Sequence, residues 1–155
     1  MIILGIDPGA SGALAFFDTV SGSLDIVDMP VVSVERNGKT KREISAPMLA
    51  GIIRSRKVDC AALERVFSRP GQGVSSVFAF GVASGIVTGV LAGLEIPLDL
   101  VTPQAWQKAT GTRNGKDGAR QRAADIFPAY AATFSRKKDD GRADAALIAY
   151  WRMIK

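Results

Sequence analysis

The sequence predicts an α/β fold in which helices cover a mixed sheet. Three short apolar segments separated by glycine turns open the chain, which indicates consecutive strands. Helical segments then alternate with two further apolar strands, the pattern of a sheet covered by layers of helix. With 155 residues and no internal repeat or long linker, the chain is predicted to form one domain over 1–155.

The first half of the chain is predicted to supply most of the strands. Apolar runs bounded by turn residues predict strands over 1–7, 12–19, 24–30 and 58–66. The polar and basic stretch "VERNGKTKRE" indicates a flexible surface loop over 31–43. Ser45 can cap a helix that continues to about Arg56.

The second half is predicted to be mainly helical. A helix over 74–94 precedes a short strand over 97–101, and Thr102 followed by Pro103 is a helix-start signal. The basic stretch "TRNGKDGARQR" leads into a helix that ends near Phe127. An amphipathic helix over 141–154 closes the chain.

Residues 74–94 contain no charged side chain, and this length could cross a bilayer. The segment also carries Gly81, Gly85, Gly89 and Gly93 at a spacing of four, which allows another helix or a sheet to approach closely. Serine and threonine dilute the run, and no basic residues flank its end. We therefore expect a helix that packs on the sheet or on a second subunit, and no membrane association.

Composition excludes several kinds of site. The chain has no histidine, which rules out Ser-His-Asp and Cys-His catalysis and His-ligated zinc. Cys60 lies in an apolar run and is expected to fill the core. The net charge of +5 favours an anionic partner. No signal segment precedes the first strand, so an intracellular protein is expected.

A few acidic residues stand in apolar surroundings. Asp7 ends the first strand, Glu64 lies near the end of a middle strand, and Asp144 lies in the last helix, four residues after Asp140. If the first and fourth strands are neighbours, these carboxylates meet at one edge of the sheet. A cluster of acids is tolerable around a cation, and all-oxygen ligands suit Mg²⁺ or Mn²⁺. A pair of such ions is used for in-line displacement at phosphate.

Simpler interpretations remain open for each acid. Asp7 before Pro-Gly is also typical of an Asx turn. Glu64 could pair with Arg65 or another arginine. Asp140 could cap the last helix, and Asp139 could do so equally well.

Several motifs occur together in this chain. They are "GIDPGASGALA" at the N-terminus, "ALERVF" at a strand end, "TPQAWQKATG", a basic "NGK" and "DGRADAALIA" in the last helix. In this order they resemble the RuvC family of Holliday-junction resolvases, particularly its phage-type branch. The match covers nearly the whole chain.

The resemblance implies an RNase H-like fold with a mixed five-stranded sheet, and a homodimer that nicks four-way DNA with Mg²⁺, or Mn²⁺ as a substitute. Two ions would activate a water that leaves 5′-phosphate and 3′-hydroxyl ends. The family's catalytic and metal-binding acids match Asp7, Glu64 and Asp144. Many members hold an acid or histidine at the position of Gly141, and here Asp140 is the expected fourth acid, with Asp139 as the alternative. A cytoplasmic location in a bacterial or phage-infected cell follows.

The resemblance also suggests which residues contact DNA. Lys108 and Lys116 match basic residues that the family has near the scissile phosphate, with Lys116 as a catalytic cation, unless they are solvated loop lysines. Phe67 is expected near the junction centre unless it fills the core. The full set of expected DNA contacts is Phe67, Arg69, Lys108, Arg113, Lys116, Arg120 and Lys137. Once metals neutralise four acids, 20 basic residues against 11 acidic ones leave a charge of +9 for the phosphates.

Two other functions are compatible with parts of this pattern. The first is a non-catalytic protein of the same fold that binds junctions or other DNA, which displacement of the fourth acid would permit. The second is a phosphotransferase of the sugar-kinase or actin type, suggested by "GIDPG". Those enzymes close a second lobe over the nucleotide, and 155 residues leave no room for it.

Overall fold

The computed structural model describes residues 1–65, 67, 71, 73–113 and 117–155. The strands are β1 Ile2–Ile6, β2 Ala13–Asp18, β3 Leu24–Asp28, β4 Val31–Arg36, β5 Lys39–Ile44, β6 Cys60–Glu64 and β7 Leu98–Val101. The helices are α1 Ala46–Arg54, α2 Val74–Gly93, α3 Pro103–Thr110, α4 Gly118–Ile126 and α5 Asp140–Ile154, with 3₁₀ segments Pro128–Phe134 and Lys137–Asp139.

Five strands form the central sheet in the order β3-β2-β1-β6-β7. The first three strands pair antiparallel, whereas β6 runs parallel to both β1 and β7. The predicted mixed sheet, and the pairing of the first strand with the apolar strand that ends at Glu64, are therefore confirmed. The parallel pairing brings the carboxyl ends of β1 and β6 to the same edge.

The sheet is buried on both faces because its strands alternate. In β1, Ile3 packs with α4 and α5, while Leu4 and Ile6 pack with α1 and α2. Cys60 is buried in the first of these clusters, as expected. Two apolar layers thus enclose the sheet and fix the edge on which the acidic residues lie.

Helix α5 lies directly on the centre of the sheet. At Gly5, a Cβ would overlap the carbonyl oxygen of Ala145 and the backbone nitrogen of Ala149. The absent side chain lets the helix backbone approach β1, and the alanine-rich face of α5 is fully buried there. This close contact holds the start of α5 beside the end of β1.

The predicted loop over 31–43 is wrong. β4 and β5 form an antiparallel hairpin in which Arg36 pairs with Lys39 across the turn. Asn37 and Gly38 both have positive φ, 52° and 69°, as a two-residue type I′ turn requires. Most side chains of this hairpin are exposed and polar, so the sequence lacks the apolar pattern of a strand. The Asn-Gly pair, which is typical of a hairpin turn, was the one indication of it.

Helix α2 does not pack its glycines on the sheet. Val87 and Leu91 are its fully buried residues, and an added Cβ at Gly81, Gly85, Gly89 or Gly93 would meet no atom within 4 Å. The expectation that the ridge packs on the sheet is wrong, and packing on a second subunit stays a prediction. By length and composition α2 could cross a membrane, and 17% of that span is buried in the fold.

Candidate active site

Asp7 and Glu64 occupy equivalent positions on neighbouring strands. Ile6 lies opposite Leu63 in the parallel pair of β1 and β6, so the next residue on each strand is one of the two acids. Strand geometry alone therefore places two carboxylates side by side at the edge of the sheet. This is the adjacency that the sequence predicted.

One oxygen of Asp7 is used in a local turn. Its Oδ1 accepts a hydrogen bond from the Gly9 backbone N–H at 3.2 Å, which is an Asx-type contact. The Asx-turn interpretation is thus confirmed, and it leaves Oδ2 directed towards the start of α5, next to Gly141. Burial raises the pKa of Asp7, and the Gly9 hydrogen bond offsets part of this increase.

Asp144 lies at the centre of the acidic cluster. Burial, and then the charges of Asp7, Glu64 and Asp140 in that order, raise the pKa of Asp144 to about 8. Asp144 is therefore near enough to each of the other three carboxylates for their charges to act on it. Residues from the beginning, middle and end of the chain form one anionic site.

Asp139 and Asp140 have different partners. Asp139 is 1% exposed, and its Oδ1 and Oδ2 accept hydrogen bonds from Arg136 at 2.9 and 3.1 Å, while Arg142 lies 3.5 Å away. The side-chain and backbone hydrogen bonds from Arg136 hold the pKa of Asp139 below its usual range. Asp139 thus forms structural ion pairs with Arg136 and Arg142 at the start of α5. Asp140, four residues before Asp144, is the one that belongs to the acidic cluster.

Gly141, at the start of α5, lies against the turn between β1 and β2. A Cβ at Gly141 would lie 2.7 Å from the Ser11 carbonyl oxygen, 2.8 Å from the Gly12 Cα and 3.0 Å from Asp7 Oδ2. The turn between β1 and β2 occupies this space, so α5 can approach Asp7 because residue 141 has no side chain.

The carboxylate of Glu64 is held by a residue that sequence reasoning did not identify. The indole N–H of Trp106 donates a hydrogen bond to Glu64 Oε2 at 2.8 Å. Trp106 lies in α3, and Thr102 caps this helix by accepting from the Ala105 backbone N–H at 3.2 Å. The two residues are 42 positions apart, so no local pattern could have linked them.

The donor set fits a hard divalent cation by chemistry and charge. Carboxylate oxygens suit Mg²⁺ or Mn²⁺, and a cation would relieve the repulsion that raises the pKa of Asp144. Within the described residues, no three carboxylate or thiol side chains already surround one point as in a formed metal site. Sharing an ion therefore involves rotamer changes, and Asp140 would offer its Oδ1 only after leaving Arg120 Nε.

The expected DNA contacts fall into three groups. Lys108, Arg113 and Lys137 are exposed, and Phe67 is 49% exposed with the Arg65 guanidinium 5.0 Å from its ring centroid. Phe67 is therefore not a core residue. Arg69 and Lys116 lie outside the described residues.

Arg120 has a different environment from the one expected. Its side chain is 12% exposed, its Nε lies 2.8 Å from Asp140 Oδ1, and its remaining nitrogens contact Asp117 and the Ser135 carbonyl oxygen. In this arrangement Arg120 neutralises the fourth acid. An open contact with a DNA phosphate would require it to leave these partners.

Comparisons with known proteins agree with this architecture. The family model described as "Crossover junction endodeoxyribonuclease RuvC" matches residues 3–149. The Holliday junction resolvase MOC1 of Chlamydomonas reinhardtii chloroplasts is 27% identical over 148 residues, covering 81% of this chain and 17% of that protein. The chain thus spans about a sixth of the length of this curated relative.

Solved structures show the same fold. T. thermophilus RuvC in complex with a Holliday junction substrate matches with a TM-score of 0.64 and 16% identity, over 99% of this chain and 93% of that one. The yeast mitochondrial Holliday junction resolvase Ydc2 matches with a TM-score of 0.55 and 17% identity, over 97% and 77%. Because the family model covers nearly the whole sequence, the chain belongs to the RuvC family of crossover junction endodeoxyribonucleases.

Proposed function

We propose that this chain is a metal-dependent endonuclease that nicks four-way junctions, and other branched DNA, as a homodimer. The observation that carries the proposal is the convergence of Asp7, Glu64, Asp140 and Asp144 at one edge of the sheet. Membership of the RuvC family, whose resolvases are metal-dependent nucleases, supports it. The chain would act as a single nuclease domain in the cytoplasm of a bacterial or phage-infected cell.

The four carboxylates would hold Mg²⁺, with Mn²⁺ as a substitute, as two ions per site. A bound divalent cation supplies Lewis-acid stabilisation of the phosphate and lowers the pKa of a bound water. Asp144 would lose its proton on binding, since its raised pKa depends on burial and on the neighbouring negative charges. Asp7 would use the oxygen that faces α5, because the Gly9 N–H already occupies the other.

The reaction would be an in-line displacement at phosphorus. The water oxygen forms a bond to phosphorus while the bond from phosphorus to O3′ breaks, and the leaving oxygen takes up a proton. This leaves a 5′-phosphate and a 3′-hydroxyl. Lys116 would place an ammonium group near the negative charge of the transition state, with the exposed Lys108 of the preceding helix nearby in sequence.

Cations around the acidic edge would bind the phosphates. The β4–β5 hairpin carries Arg36, Lys39, Lys41 and Arg42, and the last of these donates to the carbonyl oxygen of Ala10 at 3.0 Å, in the loop that follows Asp7. Lys108, Arg113 and Lys137 add exposed positive charge. Binding of this kind follows the backbone without reading sequence and weakens steeply with salt.

Helix α2 would form the dimer interface. It exposes Val74, Phe78, Phe80 and Val82, with 41–87% of each side chain accessible. An apolar surface of this kind favours a protein interface, and the open glycine ridge would let the α2 of a second copy approach closely. No membrane association is proposed.

The direct test is cleavage of a synthetic four-way junction with Mg²⁺. Wild-type protein and an Asp125→Asn control, altered on the exposed side of α4, should nick paired strands. Asp7→Asn and Glu64→Gln should lose this activity, because each removes a ligand charge. Cutting by the wild type in EDTA, or normal cutting by both ligand variants, would contradict the proposal.

A second candidate is a non-catalytic protein of the same fold that binds junctions. The Asp140–Arg120 ion pair favours it, because a permanently neutralised fourth acid would weaken metal binding. Tight junction binding without any cutting in Mg²⁺ or Mn²⁺ would support this candidate instead.

A further inference from the structure

Trp106 is the largest fully buried side chain close to the acidic cluster. It is 1% exposed and packs in the core layer that contains α5. Helix α3 around it is fixed at both ends, by the Thr102 cap and by a left-handed glycine, Gly111, with φ 68°. The indole ring therefore occupies a fixed position from which its N–H reaches Glu64.

The polar atom of this tryptophan is oriented towards the site and not towards solvent. An indole N–H can only donate, and a buried donor needs an acceptor. The acceptor is Glu64 Oε2, at 2.8 Å. If the Glu64 carboxylate rotated away, the N–H would be left unpaired in the core, so the rigid ring restricts the carboxylate to orientations that keep this bond.

We infer that Trp106 is a positioning residue that orients the Glu64 carboxylate for metal binding. The inference rests on the proposed function, in which Glu64 is a metal ligand. Hydrogen bonds from outside the ligand set commonly orient ligands in this way, and their loss typically weakens metal affinity by 10- to 100-fold. A neutral donor such as the indole N–H orients the carboxylate and adds no positive charge of its own.

The test is direct Mn²⁺ binding without DNA, measured from the free-ion electron paramagnetic resonance signal. Trp106→Phe keeps an aromatic ring and removes the N–H, so its Mn²⁺ dissociation constant should rise about 10- to 100-fold. Trp151→Phe is the matched control. Trp151 packs partly buried against the same core layer, and its ring lies 5.4 Å from the Lys155 ammonium.

A second variant separates orientation from packing. In the Trp151→Phe background, the remaining tryptophan can be replaced biosynthetically by β-(3-benzothienyl)alanine, which has nearly the same shape with sulfur in place of N–H. Weakened Mn²⁺ binding, with an unchanged urea midpoint in EDTA, is the expected result. Affinity equal to that of the Trp151→Phe protein would overturn the inference, whatever happens to Trp106→Phe.

Glu64→Gln distinguishes failure of this inference from failure of the proposed function. If it abolishes Mn²⁺ binding while both Trp106 changes leave binding intact, Glu64 is a ligand and only the inference fails. If neither the wild type nor Glu64→Gln binds Mn²⁺, the proposed metal site and the inference fail together.

Discussion

Replacing Asp144 with asparagine should stabilise the metal-free protein. In the folded chain burial, and then the charges of three other carboxylates, raise the pKa of this side chain to about 8. Asparagine has nearly the same shape as the protonated acid and cannot ionise. The substitution therefore removes a repulsion that metal-free protein must otherwise avoid by keeping a proton on Asp144.

The size of the effect follows from the pKa. The folded protein keeps the proton at pH 7, whereas the unfolded chain releases it near the ordinary value of 3.8. Each pH unit in this interval corresponds to 1.36 kcal/mol, so the variant should gain at most about 4 kcal/mol at pH 7 and about 2 kcal/mol at pH 5. These are upper limits, because the new amide must find its own hydrogen-bond partners.

The direction of the change in wild-type stability with pH follows from proton binding. Between pH 4 and 8 the folded wild type holds more protons than the unfolded chain, so this group makes wild-type stability fall as pH rises through that window. The variant should lack this contribution.

Urea unfolding in EDTA at pH 5 and pH 7, with Asp125→Asn as an exposed control, measures the difference. A variant no more stable than the wild type, or a gain that does not grow with pH, would refute the reasoning. Added Mg²⁺ should stabilise the wild type and not the variant.

Three further results are expected. Gly141→Ala should lower the free energy of unfolding in urea by about 1–3 kcal/mol, because its Cβ would collide with the β1–β2 turn. Gly51→Ala, in open space on α1, should instead raise it by up to about 1 kcal/mol. Changes of the same sign in both variants would contradict this. Asp139→Asn should cost about 2–3 kcal/mol at pH 7. Because the pKa of Asp139 is lowered, this difference should begin to shrink as pH falls below about 4 in acid unfolding and disappear below the lowered pKa, while Mn²⁺ affinity at pH 7 stays unchanged. Gly85→Leu should weaken a dimer formed through α2 at least about tenfold in analytical ultracentrifugation, and unchanged sedimentation would exclude α2 from the interface.

The central sheet and its acids could be predicted because the patterns that indicate them lie within short stretches of sequence. Buried strands show as apolar runs, and an acid at the end of such a run is conspicuous. Asp7 and Glu64 each follow four consecutive buried residues, and parallel pairing of their strands then fixes their adjacency. Asp144 was recognisable for a similar reason, in an alanine-rich helix.

The remaining features depend on contacts between distant segments. The β4–β5 hairpin is stabilised by its turn and by a few apolar residues such as Ile44, so its exposed strands do not show strong alternation. The different roles of Asp139 and Asp140 follow from the positions of Arg136 and Arg120, which composition cannot indicate. The hydrogen bond from Trp106 to Glu64 joins residues 42 positions apart, so only the folded structure could reveal it.

The carboxylates of residues 7, 64, 140 and 144 form the proposed metal site. Its most direct test is anomalous diffraction at the manganese edge from crystals soaked in Mn²⁺. We predict anomalous density between the carboxylates of Asp7, Glu64 and Asp144, with Asp140 released from Arg120. Absence of density there at saturating Mn²⁺, with Asp140 still paired with Arg120, would contradict the central claim.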